Sequence, residues 1–541
     1  PHPHAGRPGV SGAAVDFDVT HDGGKAGVSI ARGFIDVPGI FEDPRIPLDS
    51  LSMDAQWKTS GAKIETQLRN VRFSGDDAEG VAQLVWQSGE PGSLGVIDLQ
   101  GSLSRGNGAR VHRYLPLVLP DRVRHYVRDA VVQGDVSDVK FRVKGPVDEI
   151  PFSNPARGEF KVTARVKNGT FAYVPASAQA RDAPAWPGLG DVQGELVFNR
   201  ASLEVNNATA KVAAFSGLQL LKADARIPDL MHSAAVELNA SLRGPLADAL
   251  GFVNASPLGQ MTDQVLAKAV GNGAAAYGLR LNIPLNDVEK TKVQGTVSLP
   301  GNDVQFTPAT PMLSRLRGVV AFSEKGFNVP GAQARLLGGD VRFDGAGRGA
   351  GVGAGAAEAS VVFRAQGTLT AEGLRQARDL GLVSRMAQYA SGGAAYTATI
   401  GFRRGMPEVM VTSNLQGLAL NLPAPFFKAA DTVLPLRFDN ALLRDSLLPG
   451  QKLQDQLSLS IGRLASIMYV RDVSGAEPRV IRGSVGVGLE PGETAQLPEA
   501  GVAANINLAK ADMDAWEKVL AEPAAVTTPA ASARGLYSGN A

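Results

Sequence analysis

The sequence contains no cysteine, and this absence removes several classes of protein at once. With 0 cysteines in 541 residues, the chain can form no disulfide, thiolate zinc site or iron–sulfur cluster, and it has no cysteine nucleophile. The absence does not decide between a reducing and an oxidising compartment, because proteins of both kinds can dispense with cysteine.

Long apolar runs and an excess of one charge are also missing. No run of about 18 apolar residues occurs, so no segment predicts a membrane-spanning helix. The 54 Lys and Arg residues balance 53 Asp and Glu residues, which argues against nucleic acid as a partner. The first four residues have neither the charged nor the apolar part of a signal peptide. We therefore expect a portion of a longer protein, with any targeting segment upstream.

Motifs of catalysis and metal binding are missing as well. The six histidines have no HExxH spacing, and neither a GxSxG elbow nor a P-loop occurs. Residues 345–350 match a GxGxxA dinucleotide fingerprint, but further glycines and a strand-like segment follow instead of a helix that could hold phosphate. The sequence therefore predicts a protein that is not an enzyme and that has no metal and no cofactor.

Short alternating segments fill most of the chain. Apolar residues at 160, 162, 164 and 166 alternate with polar ones, and the pattern recurs up to Leu489. A period of two gives each strand one apolar and one polar face, as in a half-solvated antiparallel sheet. Asn168-Gly169 predicts a hairpin turn between Phe160–Val166 and Phe171–Tyr173. The 62 glycines and the low aromatic content, 6%, indicate many turns and slender aliphatic strands.

Helical patterns are few. The clearest covers 112–133, where Val123, Val127, Ala130 and Val131 form an apolar stripe and Gly134 follows. A second candidate covers 372–389. Because helices do not alternate regularly with strands, a doubly wound α/β fold is not expected.

The sequence also repeats itself. Residues 194–212 align without a gap with residues 318–336, at an offset of 124 (318 minus 194). Repeated strand modules bury their apolar faces mainly against their neighbours, which favours an extended, solenoid-like body. We expect a mainly β fold: an elongated, twisted antiparallel sheet that forms a U-shaped groove from repeated modules, with a few short helices.

Composition divides the chain into six segments. Residues 1–20 form a disordered edge, and residues 344–359 form a Gly/Ala-rich loop. Residues 521–541 form a disordered tail. Between them lie three β modules: 21–190 with the helix, 191–343 with both repeat units, and 360–520.

The apolar strand faces have two possible fates. They either pack as a closed core against a second layer, or they line an open groove that needs an apolar guest. Periodicity alone does not separate the two. The larger apolar members of the alternating runs are the candidate groove-lining residues: Phe160, Val162, Val166, Leu196, Phe198, Leu203, Val205, Leu279, Leu281, Ile283, Val320, Phe322, Phe327 and Val329.

An ordered series of short motifs resembles the YhdP family of AsmA-like proteins over roughly residues 30–520. The segments that carry the resemblance include 111–116, 123–130, 141–146, 150–152, 227–230, 283–285, 414–418, 422–428 and 512–516. The glycine-rich insertion at 345–357 has no counterpart in this pattern.

The resemblance implies a bridge-like protein of the Gram-negative envelope. Such a protein is periplasmic and is anchored in the inner membrane by a segment outside this chain. Its groove carries phospholipid acyl chains between the inner and outer membranes and supports the outer-membrane permeability barrier, and outer-membrane or periplasmic proteins are possible partners. An assembly scaffold that binds proteins through strand edges is the alternative. A hydrolase is disfavoured because no nucleophile–base pair is visible.

Overall fold

The structure is a computed structural model that describes residues 8–521, apart from 153, 233, 263, 308–309, 349–359, 378–379, 404–405, 449, 476–477, 491–495 and 509–511. Strands dominate the structure, as the alternation of apolar and polar residues predicts.

The strands are β1 (Gly9–Thr20), β2 (Gly23–Asp36), β3 (Arg45–Ser60), β4 (Lys63–Ser74), β5 (Ala78–Gln87), β6 (Val96–Asn107), β7 (Val131–Pro146), β8 (Glu159–Phe171), β9 (Leu189–Asn199), β10 (Ser202–Val212), β11 (Phe215–Ile227), β12 (Ala235–Pro245), β13 (Val270–Asn272), β14 (Ala274–Pro284), β15 (Lys292–Gln305), β16 (Leu313–Ser323), β17 (Gly326–Leu336), β18 (Gly339–Arg348), β19 (Ser360–Thr370), β20 (Ala390–Arg403), β21 (Met406–Ser413), β22 (Leu418–Leu420), β23 (Leu436–Leu442), β24 (Gln454–Ile461), β25 (Ala465–Asp472), β26 (Arg479–Val487) and β27 (Gly501–Ile506).

Helices are short and sparse among the described residues. The α-helices are α1 (Asp121–Ala130), α2 (Leu246–Ala255), α3 (Leu258–Met261), α4 (Ala371–Gln376), α5 (Leu382–Met386) and α6 (Met513–Ala521). The 3₁₀ helices are Gly108–Tyr114, Val147–Glu149, Ala176–Ala178, Val288–Lys290, Ala387–Tyr389 and Arg444–Leu447. Among the described residues, no helix has both the length and the apolar character needed to cross a bilayer.

The chain divides into two compact units. The first unit holds the described residues up to Phe306 together with Arg317–Asn328, and the second holds Thr307–Leu316 and the described residues from Val329 onward. In the first unit, β1 to β12 pair antiparallel in chain order, β12 then pairs with β14, and β14 pairs with β15. In the second unit, β18 to β21 and β23 to β26 pair antiparallel, and β21 joins the two runs through β23.

The mainly β fold class is therefore confirmed, and the strand pairs described above are antiparallel, with one exception among the described strands. Strand β27 runs parallel to β26, with Arg482 opposite Gly501 and Val487 opposite Ile506. Parallel neighbours need a crossover rather than a tight turn. The chain between Val487 and Gly501 provides the length for it.

The α-helices of the first unit lie at one edge of its sheet, where the strands β6 and β12 end. Strands β6 and β12 are separated by an even number of antiparallel reversals, so they end at the same edge. Helix α1 follows β6, and helices α2 and α3 follow β12. We call this the helix edge. Among the described residues, the opposite edge carries no α-helix, and one of its connections is the two-residue link between β9 and β10.

The helix expected over 112–133 is wrong in its extent. A 3₁₀ helix covers Gly108–Tyr114, and α1 begins at Asp121, directly after Pro120, and ends at Ala130. Proline is tolerated at the start of a helix but not inside it, so Pro116 and Pro120 separate the two pieces. Val131 begins β7 and lies opposite Phe171, because pairing in the sheet outweighs continuation of the apolar stripe.

The candidate helix over 372–389 is also wrong as a single element. The described residues there form α4 and α5, followed by the 3₁₀ helix Ala387–Tyr389. Gly381 precedes α5 with a φ of 57°, a left-handed conformation that interrupts a regular helix. The interruption explains why residues 372–389 do not form one helix.

The hairpin expected at Asn168-Gly169 is absent, because Phe160–Val166 and Phe171 belong to the single strand β8. Asn168 has a φ of 52°, and the register of β8 against β9 shifts between Val166 and Gly169. Asparagine tolerates this left-handed conformation, which a β-bulge uses as readily as a turn does. The Asn168 side chain donates a hydrogen bond to Asp135 Oδ2, 2.8 Å away. The dipeptide therefore bends a strand and does not reverse the chain.

The internal repeat coincides with two pairs of successive strands. The bounds of β16 and β17 are those of β9 and β10 moved by 124 positions (313 minus 189, and 336 minus 212). Three left-handed backbone positions recur at the same offset: Asp191 and Arg315, Asn207 and Gly331, Ala214 and Gly338. The duplication thus preserves the kinks of the backbone as well as the apolar pattern.

Three segment predictions need correction. Residues 9–20, expected to be a disordered edge, form β1, which pairs with β2 along its length. Residues 344–348 of the expected glycine-rich loop belong to β18. Ala521, assigned to the tail, ends α6. Residues 1–7, 349–359 and 522–541 lie outside the described residues.

Candidate functional site

One face of the first unit is apolar from strand to strand. Directly opposed residues in a sheet share a face, so the strand registers define rows of neighbours. Two rows cross this face without a polar residue. The first, from β1 to β8, is Phe17, Ala26, Ala55, Leu68, Leu84, Leu99, Val143 and Phe160, and the second, from β8 to β15, is Ala164, Leu196, Val205, Ala225, Leu238, Leu281 and Val293. We call this surface the first apolar face.

The reverse side of the same strands is polar. A typical row is Glu204, Arg226, Glu237, Asn282 and Lys292. Ion pairs link neighbouring strands there, for example Arg142 to Asp98 at 2.5 Å and Arg226 to Glu204 at 3.6 Å. The sheet therefore faces water on one side only, as antiparallel sheets commonly do.

Ten of the predicted lining residues come together on the first apolar face. In addition to those in the rows, Val162 lies opposite Phe198, Phe198 lies opposite Leu203, and Ile283 lies opposite Val236. All ten are half-buried: Phe160, Val162, Val166, Leu196, Phe198, Leu203, Val205, Leu279, Leu281 and Ile283. Side chains under a second packed layer would be buried, so neighbours in the sheet cover their sides and leave part of each surface accessible.

The remaining four predicted residues lie on β16 and β17. The Phe322 ring lies against Gly295 of β15, which is itself opposite Leu279 on the first apolar face. Val320 and Phe327 are half-buried. Val329 is buried, at 7% exposure, and is the least accessible of the fourteen.

At the helix edge the first apolar face is closed. Ala208, Ala210 and Leu218 are buried there, together with Leu246 at the start of α2. Phe252 of α2 meets Phe215 of β11 edge-on, with ring centroids 6.3 Å apart. Covered and accessible parts of one face thus lie side by side, a contrast that alternation in the sequence does not reveal.

The second unit has an apolar face of its own. One row crosses it from β18 to β27: Phe343, Ala365, Ala398, Val411, Phe438, Leu459, Ile467, Val485 and Ala504. We call this surface the second apolar face.

Polar residues interrupt the second apolar face. Asp455 is 3% exposed and accepts hydrogen bonds from Arg471 at 2.6 and 2.9 Å. Arg471 also donates to Asn440 Oδ1 at 3.3 Å. Asp455 shares its strand face with Leu457, two residues along, so the pair lies on the apolar side. Alternation did not reveal it, although Asp455 stands in phase with Leu457 and Leu459.

A family model named YhdP protein matches residues 2–536. The chain belongs to the YhdP family. No curated protein and no solved structure matches it.

Motifs that carry the YhdP resemblance fasten the helix edge. In segment 111–116, Arg113 donates to Asp77 at 2.6 Å and to Asp43 at 2.7 Å. The Tyr114 hydroxyl donates to Asp77 at 2.9 Å, and burial together with this carboxylate raises the pKa of Tyr114 above its ordinary value. Three separate segments are thereby clamped together, a structural role that sequence reasoning did not assign.

A second family segment, 422–428, holds a buried cation. Lys428 is 5% exposed and donates to the carbonyl oxygens of Leu418 and Ala429 at 2.8 and 3.0 Å. Burial lowers the pKa of Lys428. Nearby, the Phe426 and Trp516 rings meet edge-on with centroids 5.6 Å apart. The contact between the two rings joins the family segments 422–428 and 512–516, which lie far apart in the chain.

The described residues offer little for metal or acid–base chemistry. Nowhere among them do three or more His, Asp or Glu side chains gather as metal ligands. The ion pairs noted above link strands or clamp loops. What the arrangement can do chemically is bind an apolar guest along an accessible apolar face.

Proposed function

We propose that this protein binds phospholipid acyl chains along its apolar sheet faces and is not an enzyme. It acts in the periplasm as a bridge-like protein for phospholipid transfer between the inner and outer membranes. The observation that carries this proposal is the first apolar face, where two rows of apolar side chains cross the sheet and every one of them except the buried Val143 stays at least partly accessible. Membership of the YhdP family supports the same class of role.

The energetics favour such a guest. Each methylene group moved out of water contributes about 0.8 kcal/mol. A chain of apolar contacts without a polar anchor binds hydrocarbon and leaves it free to exchange contacts along the row. An inner-membrane anchor outside this chain and protein partners at the outer membrane complete the proposal.

A pair of adjacent substitutions tests it. Phe198→Asp places a charge on the first apolar face, whereas Val197→Asp places the same charge on the polar side, opposite Glu204. We expect phospholipid that co-purifies after a detergent wash, measured by mass spectrometry, to be lost in Phe198→Asp and retained in Val197→Asp. Melting temperatures establish that both variants are folded.

Two results contradict the proposal. One is the absence of phospholipid from the unsubstituted protein when it is prepared from membranes. The other is equal loading of the two variants, because then the side of the sheet that carries the charge does not matter. Phe322→Asp provides a repeat of the test at a distant strand.

A strand-edge scaffold is the second candidate, and β27 favours it. All six of its residues are exposed, and β26 is its one partner among the described strands. Exposed edges of this kind accept a further strand. Val502→Pro should block such pairing. If scaffolding is the function, cells with Val502→Pro lose the permeability barrier although this variant binds lipid normally. Phe198→Asp should then show the opposite pair of results, a normal barrier and lost lipid binding.

A further inference from the structure

Aromatic rings of the apolar faces repeatedly lie on glycines of the neighbouring strand. In four cases the two residues are directly opposed: Trp57 and Gly24, Phe141 and Gly101, Phe363 and Gly345, Tyr469 and Gly483. Phe322 lies on Gly295 in the same way. The pattern occurs in both units.

The rings occupy the space in which a side chain of the glycine would stand. A Cβ atom at Gly295 would lie 2.1 Å from Phe322 Cζ, and one at Gly345 would lie 2.2 Å from Phe363 Cδ1. At these two positions the three nearest atoms all belong to the ring, and both glycines are buried. Neither has a left-handed φ. Glycine is therefore needed at both positions for space and not for backbone conformation.

A ring that lies along the sheet projects less from it than a ring that stands upright. A Cβ atom at the glycine of the neighbouring strand would displace the ring from this position, because real Cβ atoms do not tolerate contacts near 2 Å. The ring can respond by rotating to another rotamer that points away from the sheet. The aromatic side chain would then occupy the space above the face.

We propose that these glycines keep the apolar faces open by letting the aromatic rings lie flat against the sheet. Each ring then contributes apolar surface to the face and does not project into the space that the acyl chain occupies. This inference rests on the proposed function. Rings packed over glycine also stabilise sheets. The test therefore has to separate clearance from stability.

The test uses Gly295→Val and measures phospholipid photo-crosslinking at two places. A photoreactive residue at position 281 reports locally, since Leu281 lies on the same face as Leu279, which is opposite Gly295. One at position 84 reports on the distant β5. We expect Gly295→Val to lower crosslinking at 281 roughly tenfold, as loss of contact with about two methylene groups would do. Crosslinking at 84 stays unchanged.

The double variant Gly295→Val/Phe322→Ala removes the displaced ring and should restore crosslinking at 281. Gly27→Val is the matched control, because Gly27 lies on the polar side, opposite Asp16 and Asp54, with open space around it. It should change neither reporter. Gly345→Val with Phe363→Ala repeats the design in the second unit, with a reporter at Ile400, the partner of Phe363.

The outcomes separate the two proposals. Absence of crosslinking at both positions of the unsubstituted protein overturns the proposed function itself. Normal crosslinking at 281 in Gly295→Val, or failure of Phe322→Ala to restore it, overturns this inference and leaves the function standing. Should Gly295→Val not fold, Phe322→Ala alone decides: crosslinking at 281 that is kept or raised supports the inference, and a fall refutes it.

Discussion

The two apolar faces of this protein differ in what interrupts them. Eight apolar residues in one row and seven in the next cross the first apolar face, and neither row contains a polar residue. The second apolar face carries the buried Asp455 paired with the half-buried Arg471, which also donates a hydrogen bond to Asn440. Both faces arise from the same alternation, so alternation alone does not make a face uniformly apolar.

The difference has an energetic consequence. A hydrocarbon guest gains contact energy everywhere along the rows of the first face, but it gains none from an ion pair whose partners already satisfy each other. The second face therefore depends for stability on keeping that pair intact, whereas neither of the two rows of the first face contains such a pair.

Breaking the ion pair should have the largest effect. Arg471→Met leaves Asp455 buried without its partner, which costs about 3–5 kcal/mol of unfolding free energy. Hydrogen exchange of the β24 and β25 amides should accelerate accordingly, with little change in β6 and β7.

Two controls sharpen this prediction. Arg142→Met removes a half-exposed ion pair from the polar side of the first unit and should cost at most about 1 kcal/mol. The double variant Asp455→Leu/Arg471→Met should regain most of the loss. Equal effects of Arg471→Met and Arg142→Met would show that the burial of the Asp455 carboxylate is unimportant.

An intermediate effect is expected at equivalent alanines of the two repeat units. Ala332 is 1% exposed and Ala208, its counterpart 124 positions earlier, is 8% exposed. Leucine at either site overpacks the face and should cost about 1–3 kcal/mol. Ala332→Leu should cost more, because its site has less room. Urea denaturation measures both, and a larger loss in Ala208→Leu would contradict the comparison.

The smallest expected effect is a loss of stability caused by tyrosine ionisation, which is absent near neutral pH and appears only at high pH. Burial raises the pKa of Tyr173 and Tyr277 in the first unit to about 12, and that of Tyr396 in the second unit to about 12. The unfolded chain loses these protons near pH 10, so their contribution to stability is full below about pH 10 and is lost as the pH rises toward 12.

The pKa values of Tyr114 and Tyr126, also in the first unit, are raised as well. With four described tyrosines of raised pKa against Tyr396 in the second unit, the first unit should lose stability more steeply as the pH rises above about 10. Tyrosinate absorbance as a function of pH measures the titration, and hydrogen exchange assigns the loss to each unit. Tyr396→Phe should flatten the response of the second unit only. Titration of all tyrosines near pH 10 would refute the prediction.

Family membership and the mainly β class could be predicted from the sequence, because both rest on short-range patterns. Apolar alternation also placed Phe160 and Val162 on one face of β8, since a period of two leaves no other arrangement within a regular strand. Element ends were less predictable. Val131 could continue a helix or begin a strand, and Asn168 could form a turn or a bulge, until pairing with neighbouring strands decided.

By itself, the sequence of this YhdP-family chain determined which residues alternate, which segments repeat and that no cysteine chemistry is possible. Only the tertiary structure decided which parts of the apolar faces are covered by helices, where Asp455 meets Arg471, and that Phe322 lies on Gly295. The reason is physical. Alternation is a property of residues that are neighbours in sequence, whereas the covering of the faces by helices, the pairing of charges and the packing of rings on glycines depend on strand register. Register is set by contacts between segments far apart in the chain.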